Sequence, residues 1–239
     1  MAAITVLTFL KYYAIIYIES EEEDMEKTII SAVEDLFVKA GVSTNALWKH
    51  APDSERLLEY CRNNEIDYAC GESKICFLNL FDDIVVKIPF IGSYWTYRKN
   101  NNEDPYSRYS CEDHLAKEVK MYNDLITESE IGFLFVETKY IGQLNDIKIY
   151  AQEKACPFCD TSGLRISDEI YETAEDCAFS IVTGEDIESI AAFYHAFGIE
   201  DGDRILEELD NWDIGDIHEG NIGYINGKLC IYDYSGFNP

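Results

Sequence analysis

Apolar residues recur along the first part of the chain at spacings typical of one strand followed by two helices. Residues 2–18 are apolar and rich in β-branched side chains, which predicts a strand. A helix is predicted from Asp24 to Ala40, because an apolar stripe recurs there at helical spacing and Gly41 is a suitable stop. A second helix is predicted over Asp53–Asn63, directly after Pro52.

The middle of the chain has the pattern of an antiparallel sheet with one long helix inserted in it. Strands are predicted over Lys74–Leu80 and Ile84–Ile88, which form a hairpin, and over Phe133–Tyr140 and Asp146–Gln152. The segment between the two strand pairs contains a strong helix pattern over Cys111–Ser129. This order predicts a β-rich lobe.

The pattern becomes helical after the middle of the chain and ends in a short hairpin. Helices are predicted near Glu185–Phe197 and Asp203–Asn211. The final strands, Ile222–Ile225 and Lys228–Tyr232, flank Asn226-Gly227, a strong signal for a type I′ turn. The expected fold class is α+β, in three parts: an N-terminal α/β extension over residues 1–65, a β-rich lobe over 66–155 and a helical lobe over 156–239.

Composition adds a strong charge to this picture. The chain of 239 residues has 46 acidic and 19 basic residues, a net charge of −27, and 47% of its residues are hydrophobic. The hydrophobic content excludes a disordered chain. The charge repels anions, so a cationic small molecule or a basic protein is a better partner than nucleic acid or an anionic membrane. A plainer interpretation is that most of the acids form a solvated face.

The cysteines and the N-terminus indicate a cytoplasmic protein. The eight cysteines have irregular spacings and lie within apolar segments, as reduced thiols do in cytosolic proteins. The apolar start lacks a basic leading region and a cleavage site, and Lys11 lies in its middle. A strand is therefore a better interpretation of residues 2–18 than a signal peptide or a membrane span.

Three polar residues surround the terminal hairpin. Asp216 and Asn221 precede it and Asp233 follows it, so the hairpin gathers them at one end. Phosphoryl transfer needs such a group, because one carboxylate orients the attacking hydroxyl while an amide oxygen and a second carboxylate hold Mg²⁺. The alternative is a surface turn, since Asp, Gly and Asn are also common loop residues.

The segment Gly215–Asn221 reads Gly-Asp-Ile-His-Glu-Gly-Asn and resembles the catalytic loop of aminoglycoside-phosphotransferase-type kinases, Gly-Asp-Leu-His-Pro-Gly-Asn. The resemblance implies a bilobal kinase-like fold that binds ATP and Mg²⁺. It implies Asp216 as the catalytic base, with Asn221 and Asp233 as magnesium ligands. Ile214 stands where kinases usually have His, and the glycine of Asp-Tyr-Ser-Gly comes one position later than in Asp-Phe-Gly. Six residues follow Asp233, so a reduced helical lobe is expected.

A kinase-like site also requires a lysine on a strand and a glutamate on the following helix. Lys87 lies near the end of the predicted strand Ile84–Ile88. Glu118 lies within the apolar stripe of the predicted helix, three residues after Leu115 and four before Tyr122, so it is expected to be partly buried and to need a partner. The resemblance implies that Lys87 is this partner and that both residues bind the cofactor. The alternative places Glu118 at the edge of the stripe.

Two further positions follow from the resemblance. Gly71 stands where kinases have a glycine-rich loop over the phosphates, although this loop has one glycine where three are usual. Glu153 lies in the segment expected to act as a hinge strand, whose backbone would bind adenine. The pair Cys156 and Cys159 forms a CxxC motif. A structural zinc site needs four ligands and there is no second CxxC, so two free thiols are favoured over zinc.

The expected function is an ATP- and Mg²⁺-dependent phosphotransferase that acts on a hydroxyl of a cationic small molecule or a basic protein. This function is favoured by the presence of all five polar residues that such a site requires: Lys87, Glu118, Asp216, Asn221 and Asp233. The alternative is a catalytically inactive, kinase-like acidic protein that binds a basic surface of a partner. The net charge of −27 and the short segment after Asp233 favour this alternative.

Overall fold

Five antiparallel strands form the central sheet of the protein in the computed structural model, which describes residues 23–45, 47–93, 113–157, 207, 211–212, 221–226 and 228–234. The strands are β1 (Tyr68–Cys70), β2 (Lys74–Phe77), β3 (Ile84–Pro89), β4 (Thr138–Leu144) and β5 (Ile147–Glu153). They lie side by side in the order β1-β2-β3-β5-β4. The predicted mixed α and β composition and the strand-rich middle of the chain are confirmed.

The pairing register gives this sheet one apolar face and one polar face. Lys74 and Cys76 lie on the same side of β2, and Cys76 pairs directly with Lys87 of β3. Ile75 and Phe77 alternate with them and are buried on the opposite side. The sequence of β2 therefore assigns its apolar residues to one face and its polar residues to the other.

Two helices cover the apolar face. α1 spans residues 23–40 and α2 spans Pro52–Asn63, as the sequence predicts. Gly41 has a φ of 66°, a left-handed conformation that ends α1 without steric penalty. Phe37 of α1 and Leu57 of α2 belong to the same hydrophobic core as the apolar side chains of the sheet. The predicted N-terminal extension and the sheet therefore share one core, and the boundary between them stays a prediction.

A short helix between β3 and β4 carries Glu118. This helix, α3, spans His114–Met121, and a π-helical turn continues it over Tyr122–Ile126. The helix predicted over Cys111–Ser129 is thus present in the described residues, but its second half is not α-helical. A π turn contains more residues than an α turn and rotates the following side chains. Leu125 lies in this turn and is 42% exposed, although its spacing from Leu115 in a continuous α-helix would place it on the apolar stripe.

The strand predicted over Phe133–Tyr140 begins later than the sequence indicates. Gly132–Leu134 forms a short 3-10 helix, and β4 starts at Thr138. A Cβ atom on Gly132 would lie 2.2 Å from the carbonyl oxygen of Ile126, so only glycine fits against the end of the π-helical turn. This close approach holds the segment beside the helix, and the sheet begins after it.

A second, three-stranded sheet contains the terminal hairpin. Its strands β6 (Cys156–Pro157), β7 (Ile222–Ile225) and β8 (Lys228–Ile231) are antiparallel and lie in that order. Asn226 has a φ of 52°, as expected for a type I′ turn, and the predicted hairpin is confirmed. The backbone N–H of Val136 donates to the last carbonyl of β8 at 3.0 Å. The hairpin is thereby joined to the segment that leads into β4.

Several predicted elements lie outside the described residues. They are the N-terminal strand over residues 2–18, the helix over 185–197 and most of the helix over 203–211. In the part of the chain that the structure describes, no helix has both the length and the apolar character needed to cross a membrane.

The contact at Gly132 gives a test of this packing. We expect Gly132→Ala to lower the free energy of unfolding by about 1–3 kcal/mol, because the new methyl group meets a backbone oxygen that cannot rotate away. Gly71→Ala is the matched control, since its Cβ would meet its nearest atom at 4.0 Å, and it should leave stability unchanged or slightly higher. Chemical denaturation measures both, and equal stabilities of the two variants would contradict the packing.

Candidate functional site

The polar face of the central sheet is buried, although it carries charged side chains. Lys74 of β2 is 7% exposed and Lys87 of β3 is 2% exposed, and Thr138 and Gln152 on the neighbouring strands are also buried. Burying a charged group is costly unless other groups pair with it. The partners come from α3 and from the segment that follows the terminal hairpin.

Glu118 is the central partner. Its side chain is fully buried, and its two carboxylate oxygens have different neighbours. The ammonium group of Lys74 donates to Oε1 at 3.1 Å, and the ammonium group of Lys87 lies 3.4 Å from Oε2. The hydroxyl of Thr138 also donates to Oε2, at 2.8 Å. One carboxylate on α3 therefore joins strands β2, β3 and β4.

Asp233 enters the same network from the end of the hairpin. Its Oδ1 accepts a hydrogen bond from the Lys74 ammonium at 2.6 Å, and its side chain is 27% exposed. The preceding carbonyl, that of Tyr232, accepts from Lys87 at 2.9 Å. The following residue, Tyr234, is fully buried and its hydroxyl donates to the carbonyl of Val136 at 3.1 Å. Three consecutive residues after β8 are thus fixed against the sheet.

Hydrogen bonds at the start of α3 hold Glu118 in place. Asp113 caps the helix, since its Oδ1 accepts from the backbone N–H of Ala116 at 3.1 Å. Its Oδ2 accepts from the Tyr150 hydroxyl and from the Lys148 ammonium, both at 2.8 Å. Both partners lie on β5. The cap therefore also fixes the helix to the sheet at one end of the network.

The network contains two ammonium groups and two carboxylates. Burial opposes the ionisation of Glu118, but Lys87 and Lys74 outweigh it and lower the pKa from 4.5 to about 2. Burial also opposes the charge on Lys74, but Glu118 and Asp233 outweigh it and raise its pKa. For Asp233, burial and the nearby charge of Glu118 raise the pKa against the effect of Lys74. Glu118 and Lys74 are therefore both charged at neutral pH.

The structure brings together the residues that the sequence analysis selected on the sheet and the helix. The predicted burial of Glu118 and its contact with Lys87 are confirmed, and the alternative at the edge of the stripe is wrong. Asp233 joins them through Lys74. Asn221 is also buried. Its backbone carbonyl accepts from the backbone N–H of Tyr232 at 3.0 Å, which places it beside the segment that carries Asp233.

The other predicted site residues lie apart from the network or outside the described residues. Gly71 is exposed in the loop between β1 and β2, and Glu153 is exposed at the end of β5. The backbone N–H of Lys154, in the expected hinge, donates to the carbonyl of Asp83 at 2.9 Å. Asp216 lies outside the described residues, so its role stays a prediction.

Lys74 is the residue that sequence reasoning missed. A signal was present, because Lys74 and Cys76 alternate with Ile75 and Phe77 and therefore lie on the face opposite the core. That face is shared with Lys87 only when β2 and β3 pair in the observed register. The register is a property of the folded sheet, so the sequence pattern alone does not bring the two lysines together.

A groove of about 950 Å³ borders the network on the side of β4 and β5. Thr138, Gln152 and Glu153 contribute to its lining, and apolar side chains such as Ile84 and Phe135 line much of the rest. Among the described residues, the lining of this groove includes none of the four charged residues of the network, Lys74, Lys87, Glu118 and Asp233. Thr138 connects the groove to the network, since it lines the groove and its hydroxyl donates to Glu118.

The oxygen groups at the end of the hairpin are of the kind that magnesium prefers. Asn221 offers an amide oxygen and Asp233 a carboxylate, and the two residues flank the paired strands β7 and β8. Among the described residues, no three His, Cys, Asp or Glu side chains form a group that could hold a metal ion. Cys156 of the CxxC motif lies on β6, and Cys159 lies outside the described residues, so the choice between zinc and thiols stays a prediction.

Comparisons of this chain with protein-family models, with curated proteins and with solved structures gave no match.

The burial of Glu118 predicts a pH-dependent loss of stability on its replacement. At pH 7 we expect Glu118→Gln to lower the free energy of unfolding by about 3 kcal/mol, because two buried ammonium groups lose their shared counter-charge. The folded-state pKa of about 2 lies below the ordinary 4.5, so the carboxylate contributes stability above pH 4.5 and loses it as pH falls towards 2. The difference between the two proteins should therefore shrink over that range.

Denaturation at several pH values measures this difference. Glu137→Gln is the matched control, since Glu137 is 42% exposed and lies 3.9 Å from the exposed Lys139 ammonium, and it should cost no more than about 0.5 kcal/mol. A Glu118→Gln variant as stable as the control at pH 7, or equally destabilised at pH 2 and pH 7, would contradict the paired state of Glu118.

Proposed function

We propose that this protein is an ATP- and magnesium-dependent phosphotransferase with a bilobal kinase-like fold. The observation that carries the proposal is the buried contact of Lys87 with Glu118 beside Asp233. Kinases pair a lysine of the third strand with a glutamate of the following helix, and an aspartate farther along the chain binds magnesium. The three residues here are far apart in sequence and meet in one network.

The order of elements supports the same proposal. Lys87 lies on the third strand of the sheet, and Glu118 lies on the helix between the third and fourth strands. Asp233 follows a β-hairpin that is joined to the sheet. A surface turn does not account for Asp233, whose carboxylate accepts from the buried Lys74; for Asp216, outside the described residues, that alternative stays open.

Each residue has a separate role in the proposed site. Lys87 binds phosphate oxygens of ATP, and Glu118 fixes the direction of its ammonium group. Asn221 and Asp233 would hold Mg²⁺, which when bound neutralises charge on the phosphates. Asp216 accepts the proton of the attacking hydroxyl. Gly71 and the backbone around Glu153 would contact the nucleotide more weakly.

The acceptor is proposed from charge. A protein with a net charge of −27 attracts cations and repels anions, so the hydroxyl belongs to a cationic small molecule or to a basic protein. Lys74 and Lys87 are buried in the network, and the proposal requires that the phosphates of ATP bind beside them. A cytoplasmic location, where ATP is present, belongs to the same proposal.

Nucleotide binding is tested by thermal unfolding with and without Mg-ATP. At 100 times the dissociation constant, we expect about 2.7 kcal/mol of stabilisation and a rise in Tm of about 5–10 °C. Asp233→Ala should abolish this rise, because the magnesium loses its carboxylate ligand. Asp35→Ala on the exposed side of α1 is the control and should keep the wild-type rise. If wild type shows no rise at any Mg-ATP concentration, the nucleotide site is wrong.

The role of Asp216 is tested by transfer of labelled phosphate to basic proteins and to cationic alcohols. Asp216→Ala should slow transfer by about a hundredfold or more, because the hydroxyl loses its base. The variant should keep the Tm rise with Mg-ATP, since the magnesium ligands remain. Transfer at the wild-type rate would show that Asp216 is not the base.

A second candidate is a catalytically inactive, kinase-like acidic protein that binds a basic partner. Two observations favour it: the net charge of −27 and the pairing of Asp233 with Lys74, which balances its charge without a metal. This candidate expects no phosphate transfer, together with binding to basic proteins that weakens as salt is added. The transfer assay therefore separates the two functions.

A further inference from the structure

Lys74 is a second lysine in a site where the proposed phosphate transfer uses one. It lies on β2, three residues after Gly71, and its ammonium group is the only one in the described residues that contacts both acids of the network. Its distance to Asp233 Oδ1 is 2.6 Å, shorter than its 3.1 Å to Glu118 Oε1. Its main contact is therefore with the proposed magnesium ligand.

The two lysines share Glu118 but differ in their other contact. Lys87 contacts Glu118 and the Tyr232 carbonyl, and both groups remain available to it when Asp233 changes partner. Among the described residues, the hydrogen bonds of the Lys74 ammonium group go to the two carboxylates, whereas Lys87 also bonds to a backbone carbonyl. A lysine side chain has a flexible four-carbon stem, so its ammonium group can leave Asp233 while β2 stays in place.

We propose that Lys74 is an internal counter-ion that occupies Asp233 until metal and nucleotide bind, and that it then contacts the phosphates. This inference rests on the proposed function. A divalent cation and an ammonium group repel each other at such short range, so the ammonium group on Asp233 Oδ1 weakens metal binding there and a bound metal weakens its contact. The loop before Lys74 has a single glycine, so the lysine supplies positive charge where a glycine-rich loop would supply backbone N–H groups.

The inference predicts opposite effects of one substitution on two ligands. Lys74→Met removes the ammonium group from Asp233, so Mn²⁺ alone, used as a probe for the metal site, should bind about tenfold more tightly than to wild type. The same variant should gain less stability from Mg-ATP than wild type does, because a phosphate contact is lost. A purely structural role for Lys74 would weaken both.

Titration of Mn²⁺, followed by the paramagnetic resonance signal of the free ion, measures the first effect. The acidic surface binds Mn²⁺ in every variant, so each affinity is compared with that of the same protein carrying Asp233→Ala. The tighter Mn²⁺ binding of Lys74→Met should disappear in the double variant that carries both Lys74→Met and Asp233→Ala. Lys87→Met is the matched control and should change Mn²⁺ affinity less, since Lys87 contacts Glu118 and a carbonyl.

A second variant keeps the test decisive if Lys74→Met does not fold. Lys74→Gln also removes the charge, but its amide group can still donate hydrogen bonds to the carboxylates. Circular dichroism measures whether this variant is folded. Unchanged or weaker Mn²⁺ binding at Asp233 in a folded Lys74→Gln protein would overturn the inference.

The outcomes separate this inference from the proposed function. If Mn²⁺ binding tightens in the Lys74 variants while Mg-ATP stabilises no protein, Lys74 is the counter-ion of Asp233 and the phosphotransferase proposal is wrong. If Mg-ATP stabilises wild type but Mn²⁺ binding is insensitive to Lys74, the site stands and the counter-ion role is wrong.

Discussion

The fully buried carboxylate of Glu118 is the constraint on which the polar side of this fold depends. A lone carboxylate in that position would be unstable, so the chain must bring ammonium groups to it. Lys74 and Lys87 come from adjacent strands, and Asp233 balances the second of their charges. The helix, the sheet and the segment after the hairpin are thereby fixed relative to one another by electrostatics as well as by packing.

The two faces of the central sheet are stabilised in different ways. Its apolar face packs against α1 and α2 and forms the continuous hydrophobic core. Its other face carries the charged network, and the Tyr234 ring supports that network by packing edge-on against Phe135 with ring centres 5.3 Å apart. Because the two faces alternate along each strand, a polar cluster can be buried without interrupting the core.

Local signals in the sequence predicted much of this fold. Gly41 marks the end of α1 and Asn226 the turn of the hairpin, and the place of Glu118 within an apolar stripe predicted its burial. Features that depend on tertiary contacts were missed. The π-helical turn that exposes Leu125 and the register that brings Lys74 beside Lys87 are set by packing between distant segments, for which the sequence has no local signal.

We propose that the Glu118 network binds a nucleotide. Calorimetric titration of magnesium and a non-hydrolysable ATP analogue into wild type and Lys87→Met measures this binding, with Lys39→Met on the exposed surface of α1 as the control. We expect saturable binding to wild type and to the control, and binding weaker by about tenfold to a hundredfold in Lys87→Met, because a charged hydrogen bond to phosphate is lost. Equal affinity in all three proteins, or no binding to wild type, would contradict the claim.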